Sequence, residues 1–129
     1  MPTAEHRAVA RLLLDKATAD LSAAQALIAA TGQVDHVVGF HLQQDVEKAL
    51  KAALTAKGAE IPRTHDLAYL VDQTSDGGGA VPQSLSGLEW LTPWGVQFRC
   101  DAAEMTLDRT AAVMAAEAAI AWATKEIGC

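Results

Sequence analysis

The sequence predicts an all-α protein, folded as an up-and-down bundle of four main helices with one short extra helix. Half of its 129 residues are apolar, only 5% are aromatic, and alanine is frequent, a composition that favours closely packed helices over a sheet. Long segments also place apolar residues at the 3.6-residue spacing of an amphipathic helix. The length suits one domain, residues 1–129, with its own core.

The first helix is expected to run from an N-cap at Thr3 to about Ala30, with Thr31-Gly32 as its stop. Asp20 lies at the edge of its apolar stripe, where a solvated charge is the expected reading. The stripe consists of Leu14, Ala17, Leu21, Ala24 and Ile28.

The second helix is expected to begin near Asp35 or His36 and to end before Gly58, which suits the left-handed position after a helix. Gln43 and Glu47 fall at the margin of its apolar face, where polar groups need hydrogen-bond partners. The face itself consists of Leu42, Val46, Ala49, Leu50, Ala53 and Leu54.

A third helix is predicted from an N-cap at Thr64 to about Thr74, with Asp66 near the positive end of its dipole. Glycine-rich residues 75–80 are expected to form a loop. A short helix is predicted over 84–92.

Residues 94–98 alternate apolar and polar side chains, a pattern that also fits a strand. The last helix is expected to begin near Thr106 or Leu107 and to end at Ile127, before Gly128. Its predicted packing face consists of Ala111, Met114, Ala118, Ala121 and Trp122.

The stretch FHLQQDVEKALKA, followed by RTHDL, resembles the core of the HEPN domain family. The first helix fits the family pattern too, so the resemblance covers nearly the whole chain. It implies a helical homodimer with a groove near the dimer axis. An Arg-Tyr pair of the family is replaced here by Arg99-Cys100. The matching core positions are Phe40, Gln43, Gln44, Glu47, Lys48, Lys51, Ala52, His65, Asp66 and Leu67.

Many HEPN proteins are metal-independent ribonucleases, and the resemblance implies a signature of Arg followed after four to six residues by His. The His would act as a general acid or base, and the Arg would stabilise phosphate charge. Arg63 and His65 come nearest to this pattern, but only one residue separates them. No catalytic residue is therefore assigned.

The candidate ligand site is drawn from the matching motif and its basic neighbours. One interpretation is a nucleotide site, with His65 at a helix N-terminus contacting phosphate. The other is structural, with these side chains joining helices or lining a dimer interface. Arg99 is expected to pair with a buried carboxylate such as Glu47 or Asp20. The candidates are Gln43, Glu47, Lys48, Lys51, Arg63, His65 and Arg99.

Charge and composition narrow the function further. The formal charge of −6 argues against broad nucleic-acid binding, which needs a basic footprint. Cys100 and Cys129 lack metal-ligand spacing, and His41 with Asp45 is a single weak pair, so no metal site is expected. No signal sequence or membrane-spanning run is present, which predicts a cytoplasmic protein with no membrane partner.

Three functions remain open. The first is a nucleotide-binding or regulatory HEPN protein that needs no cofactor beyond the nucleotide. Such a protein would form a homodimer and act as the partner of a minimal nucleotidyltransferase. The second is a ribonuclease toxin of a toxin–antitoxin pair, with a non-standard site at Arg63 and His65. The third is an interaction module without a small ligand. The first and its partners rest on family resemblance alone.

Overall fold

A computed structural model of the chain describes residues 2–30, 35–76, 82–95 and 106–128. These segments are helical or connecting, with no strand among them. The helices are α1 (Ala4–Ala29), α2 (Asp35–Ala56), α3 (Leu67–Asp76) and α4 (Arg109–Ile127), with 3₁₀ helices at Gln83–Leu85 and Leu88–Gly95.

Helix α2 lies at the centre of the bundle and packs against α1, α3, α4 and the second 3₁₀ helix. Asp20 in the second half of α1 contacts His41 in the first half of α2, as expected for antiparallel neighbours. Helix α4 runs parallel to α2, because Asp35 meets Arg109 at one end and Lys57 lies 3.2 Å from Glu126 at the other. The predicted all-α bundle is confirmed.

Helix α1 packs through small side chains. Ala10, Ala17 and Ala24, spaced seven residues apart, are all fully buried. Alanine at this repeat lets the neighbouring backbone approach closely. The predicted stripe is confirmed, since its larger members Leu14, Leu21 and Ile28 are packed against the core.

Two predicted helix ends are confirmed. The Thr3 hydroxyl accepts a hydrogen bond from the backbone N–H of His6, and the His6 ring in turn accepts one from Thr3 N–H, which makes a capping box. At the end of α2, Gly58 has φ +82°. Its N–H bonds the Thr55 carbonyl while Ala59 N–H bonds that of Leu54, the pattern of a Schellman motif.

Two predicted boundaries are wrong. Helix α3 begins at Leu67. Its cap is Asp66, whose carboxylate accepts a hydrogen bond from Tyr69 N–H. The hydroxyl of Thr64, the predicted cap, accepts instead from Asp66 N–H in the preceding turn. The predicted helix over 84–92 is two 3₁₀ helices, and the second continues to Gly95, past Pro93. Proline is tolerated there because a short 3₁₀ segment loses few backbone bonds.

The predicted packing face of α4 is wrong in part, although Trp122 is buried and Ala118 packs against the core as expected. Met114 is 63% exposed and Ala121 is exposed, whereas the neighbouring side chains are buried. Alanine occurs on every side of α4, so hydrophobicity alone cannot fix its rotation. The buried residues are Ala112, Ala115, Ala116, Ala119, Trp122 and Ala123.

Some predictions lie outside the described residues: the stop at Thr31-Gly32, the loop residues 77–80, the alternation over 96–98, Arg99-Cys100 and Cys129. Residues 75 and 76, expected in the loop, belong to α3. No described helix combines the length and apolar character needed to cross a bilayer.

Candidate functional site

The central position of α2 buries polar side chains that the sequence places at the margin of its apolar face. Gln43 has no exposed surface, and Glu47 is 4% exposed. The segment before α3 and the second 3₁₀ helix cover this side of α2. Gln43 and Glu47 therefore lie inside the fold and not at its margin.

The Glu47 carboxylate is the centre of a hydrogen-bonded cluster. Its Oε1 lies 2.7 Å from His65 Nδ1 and accepts from Gln43 Nε2 at 3.2 Å. Its Oε2 accepts from Lys51 Nζ at 2.9 Å. Burial of a carboxylate is costly unless it is paired and hydrogen-bonded, and both oxygens of Glu47 meet that condition. We call Gln43, Gln44, Glu47, Lys51 and His65 the Glu47 cluster.

Gln43 connects the helix to the segment that carries His65. Its Nε2 donates to the His65 carbonyl at 3.0 Å, and its Oε1 accepts from Gln44 Nε2 at 2.9 Å. Gly95 packs directly against this amide, since a Cβ at Gly95 would lie 2.5 Å from Gln43 Oε1. The amide is thus fixed by partners on one side and by a close backbone on the other.

His65 joins the buried cluster to the surface. Its side chain is 64% exposed, although Nδ1 contacts buried Glu47. A carboxylate accepts hydrogen bonds, so Nδ1 is the protonated nitrogen of the neutral ring, and Nε2 is the nitrogen left for a ligand. Within the described segments Nε2 has no partner, and the exposed Arg63 lies two residues earlier in the chain. The arrangement can present an oriented imidazole and a guanidinium to an anion.

Lys48 does not belong to the Glu47 cluster. Its Nζ lies 2.6 Å from Asp20 Oδ2, and Asp20 Oδ1 lies 3.1 Å from His41 Nδ1, on the α1 side of α2. Asp20 is only 14% exposed, so the expectation of a solvated charge is wrong. The partners of Glu47 and Asp20 within the described segments are these lysines, histidines and glutamines, whereas Arg99 lies outside those segments.

The sequence interpretation missed Gly95 and Asp45. A glycine after Trp94 gave no sign of contact with Gln43, which is distant in sequence. Asp45 was a stronger signal, because it follows Leu42 by three residues and precedes Ala49 by four, inside the apolar stripe. It has no exposed surface. Over the part of the chain that the structure describes, no group of three or more potential ligands could hold a metal ion.

Comparison with protein families gives one match, to the HEPN domain, over residues 10–127. Comparisons with curated proteins and with solved structures give no significant match. The family match includes α2, the segment with His65, and α4, so it contains the complete Glu47 cluster. Since it spans nearly the whole chain, the protein belongs to the HEPN domain family.

Proposed function

We propose that this HEPN protein binds the phosphate group of a nucleotide at His65 and Arg63 and acts as a regulatory or interaction module. The observation that carries the proposal is the contact of 2.7 Å between Glu47 Oε1 and His65 Nδ1. It holds an exposed imidazole in one orientation with Nε2 directed away from its buried partner. In the imidazolium form Nε2–H is a donor to phosphate, and a preorganised donor loses less conformational entropy when a ligand binds.

The local balance of charge supports an anionic ligand. The negative charge of Glu47 is compensated within the fold by Lys51, whose side chain is only 14% exposed. Arg63 adds an exposed positive charge near His65. Guanidinium and imidazolium groups are suited to phosphate, which accepts several charge-assisted hydrogen bonds. The net charge of −6 confines this attraction to a small region and disfavours long nucleic acids.

The oligomer and the protein partner belong to the same proposal. Both rest on the resemblance to the HEPN family, which implies a homodimer and a minimal nucleotidyltransferase as partner. Such a partner would supply or receive a nucleotide, which agrees in chemistry with a phosphate contact at His65. Size-exclusion chromatography with light scattering tests the dimer. Co-purification with a minimal nucleotidyltransferase from the same organism tests the partner, and failure to form a complex contradicts that part alone.

Thermal unfolding with a panel of nucleotides and inorganic phosphate tests the ligand. A nucleotide at 100 times its Kd should add about 2.7 kcal/mol to the free energy of unfolding. The shift should disappear in His65→Ala and Arg63→Ala. It should persist in Lys48→Ala, the control, because Lys48 is bound to Asp20 on the other side of α2. No shift with any nucleotide at millimolar concentration contradicts the proposal and favours an interaction module without a small ligand.

A second candidate, ribonuclease activity, is favoured by the same pair. A carboxylate that orients a histidine through Nδ1 leaves Nε2 able to take a proton from an attacking hydroxyl. Arg63 would stabilise the phosphate charge. Cleavage of RNA that is lost in His65→Ala, in Arg63→Ala and in large part in Glu47→Gln would support this toxin-like function. Wild-type protein that leaves RNA intact excludes it.

A further inference from the structure

Asp45 is the most unusual buried group in the part of the chain described. It lies in the middle of α2 with no exposed surface. Neither carboxyl oxygen has a hydrogen-bond partner within the described segments. Buried polar side chains are nearly always bonded, so a buried carboxyl without a donor has a strong reason to remain neutral.

The charges around Asp45 favour the neutral form as well. Burial raises the pKa of Asp45 from 3.8 to about 9. The carboxylates of Asp20 on α1 and Glu117 on α4 raise the pKa too, whereas the Lys48 ammonium lowers it. Lys48 does not offset these effects on the pKa, because its ammonium group is paired with the Asp20 carboxylate. Asp45 therefore holds a proton at neutral pH.

The Lys48 ammonium interacts electrostatically with two carboxyl groups, those of Asp20 and Asp45. Lys48 follows Asp45 by three residues on α2, a spacing at which side chains on a helix are neighbours. Its Nζ now lies 2.6 Å from Asp20 Oδ2, and His41 Nδ1 contacts the other oxygen of Asp20. If Asp45 loses its proton, it becomes a buried anion, and the Lys48 ammonium is a cation whose charge already acts on it.

We propose that Asp45 is a proton switch in the packing of α1, α2 and α4. In the protonated state Lys48 is bound to Asp20, as the structure has it. Release of the proton draws the Lys48 ammonium from Asp20 to Asp45 and leaves Asp20 with His41 as its partner. The balance is simple: one proton leaves the Asp45 carboxyl for solvent, and one ion pair replaces another.

The direction of the pH dependence follows from linkage. The folded state keeps the Asp45 proton up to about pH 9, whereas an unfolded chain loses it near 3.8. Between these values the folded state binds one more proton than the unfolded state, so stability falls as pH rises. The stabilising effect is complete below the unfolded pKa and is lost by the folded pKa.

Urea unfolding between about pH 5 and 9 tests the switch, with Asp45→Asn as variant and Asp72→Asn, an exposed aspartate of α3, as control. One linked proton changes the equilibrium constant of unfolding about tenfold per pH unit. We expect wild type and Asp72→Asn to show this slope relative to Asp45→Asn. Equal slopes in all three overturn the proposal. If Asp45→Asn does not fold, a flat wild-type profile between about pH 7.5 and 8.5, above the usual histidine range, overturns it as well.

Nuclear magnetic resonance tests the exchange of partners. The ring signals of His41 should move around pH 9 in wild type, because Asp20 changes partners there, and should not move in Asp45→Asn. In Asp20→Asn the lysine is free to approach Asp45 at any pH, so the slope of stability with pH should shrink. Signals of His41 that do not move around pH 9 in wild type overturn the exchange of partners.

Discussion

Glu47 and Asp45 lie two residues apart on α2, and both are buried, yet their surroundings are opposite. Glu47 accepts hydrogen bonds from lysine and glutamine and contacts the His65 ring, using both oxygens. The carboxyl oxygens of Asp45 have no hydrogen-bond partner within the described segments. The two side chains face different neighbours, because successive odd positions on a helix point about 200° apart. Glu47 meets the segment before α3, whereas Asp45 meets α1 and α4.

The comparison shows that partners, more than burial, decide what a buried carboxyl does. With partners, Glu47 fixes the orientation of an exposed histidine. Without partners, Asp45 keeps a proton, and its pKa rises to about 9. One helix thus carries a rigid polar cluster suited to a ligand and, on another side, a group that responds to pH.

The largest effect is expected from Glu47→Ala. The change leaves Lys51 and Gln43 without their buried acceptor, and removing one member of a buried pair costs about 3–5 kcal/mol of unfolding free energy. Urea unfolding measures it, with exposed Glu60→Ala as control. A loss no larger than that of Glu60→Ala would mean that the Glu47 cluster contributes nothing to stability.

Gly95→Ala should disturb the same cluster through packing. The added Cβ would lie 2.5 Å from the Gln43 amide, and overpacking typically costs about 1–3 kcal/mol. Gly39→Ala is a matched control, because its Cβ would meet the Trp94 ring at 2.5 Å instead. Both variants should lose stability, but only Gly95→Ala should shift the resonances of His65. An unchanged His65 spectrum in Gly95→Ala would contradict the role of Gln43.

Gln43 and Gln44 should differ although they are adjacent. Gln43→Ala removes a buried amide that donates to the His65 carbonyl, and we expect a loss of about 1–3 kcal/mol. Gln44 is half-buried, and its bonds only support Gln43 and Glu47, so Gln44→Ala should cost about 0.5 kcal/mol. If urea unfolding shows that both variants lose the same free energy of unfolding, then Gln43 contributes no more to stability than Gln44, contrary to this expectation.

The smallest effect on stability is expected at Asp35, whose pKa is shifted in the opposite direction from that of Asp45. The Leu107 backbone N–H, and to a lesser degree Arg109, lower the pKa of Asp35 below 3.8. Its stabilising effect is present above the unfolded pKa and is lost as pH falls through the folded pKa. Because Asp35 and Arg109 are partly exposed and screened, Asp35→Asn should cost about 0.5 kcal/mol at neutral pH. The variant should equal wild type in strong acid, and a difference that persists there would contradict the assignment.

Much of the fold and part of the site could be predicted from the sequence. The stripes of α1 and α2 were predicted correctly because large aliphatic residues recur there every three or four positions among polar ones, and Gly58 marked the end of α2. The α4 face was predicted only in part, because alanine gives little contrast around the helix. The family motif brought together Gln43, Glu47, Lys51 and His65. It misplaced Lys48, because the partner of that lysine comes from α1 and a helical wheel contains no other helix.

The most direct test of the central claim is a nitrogen-resolved spectrum of histidine-labelled protein, recorded with and without nucleotide. If Glu47 orients His65 for a ligand, neutral His65 carries its proton on Nδ1, and its Nε2 resonance shifts when the nucleotide binds. In Glu47→Gln the preference for the Nδ1 proton and the shift of the Nε2 resonance should both become weaker. His41, which contacts Asp20 and not Glu47, serves as an internal control. A neutral His65 protonated on Nε2, with no change on addition of any nucleotide, would contradict the account.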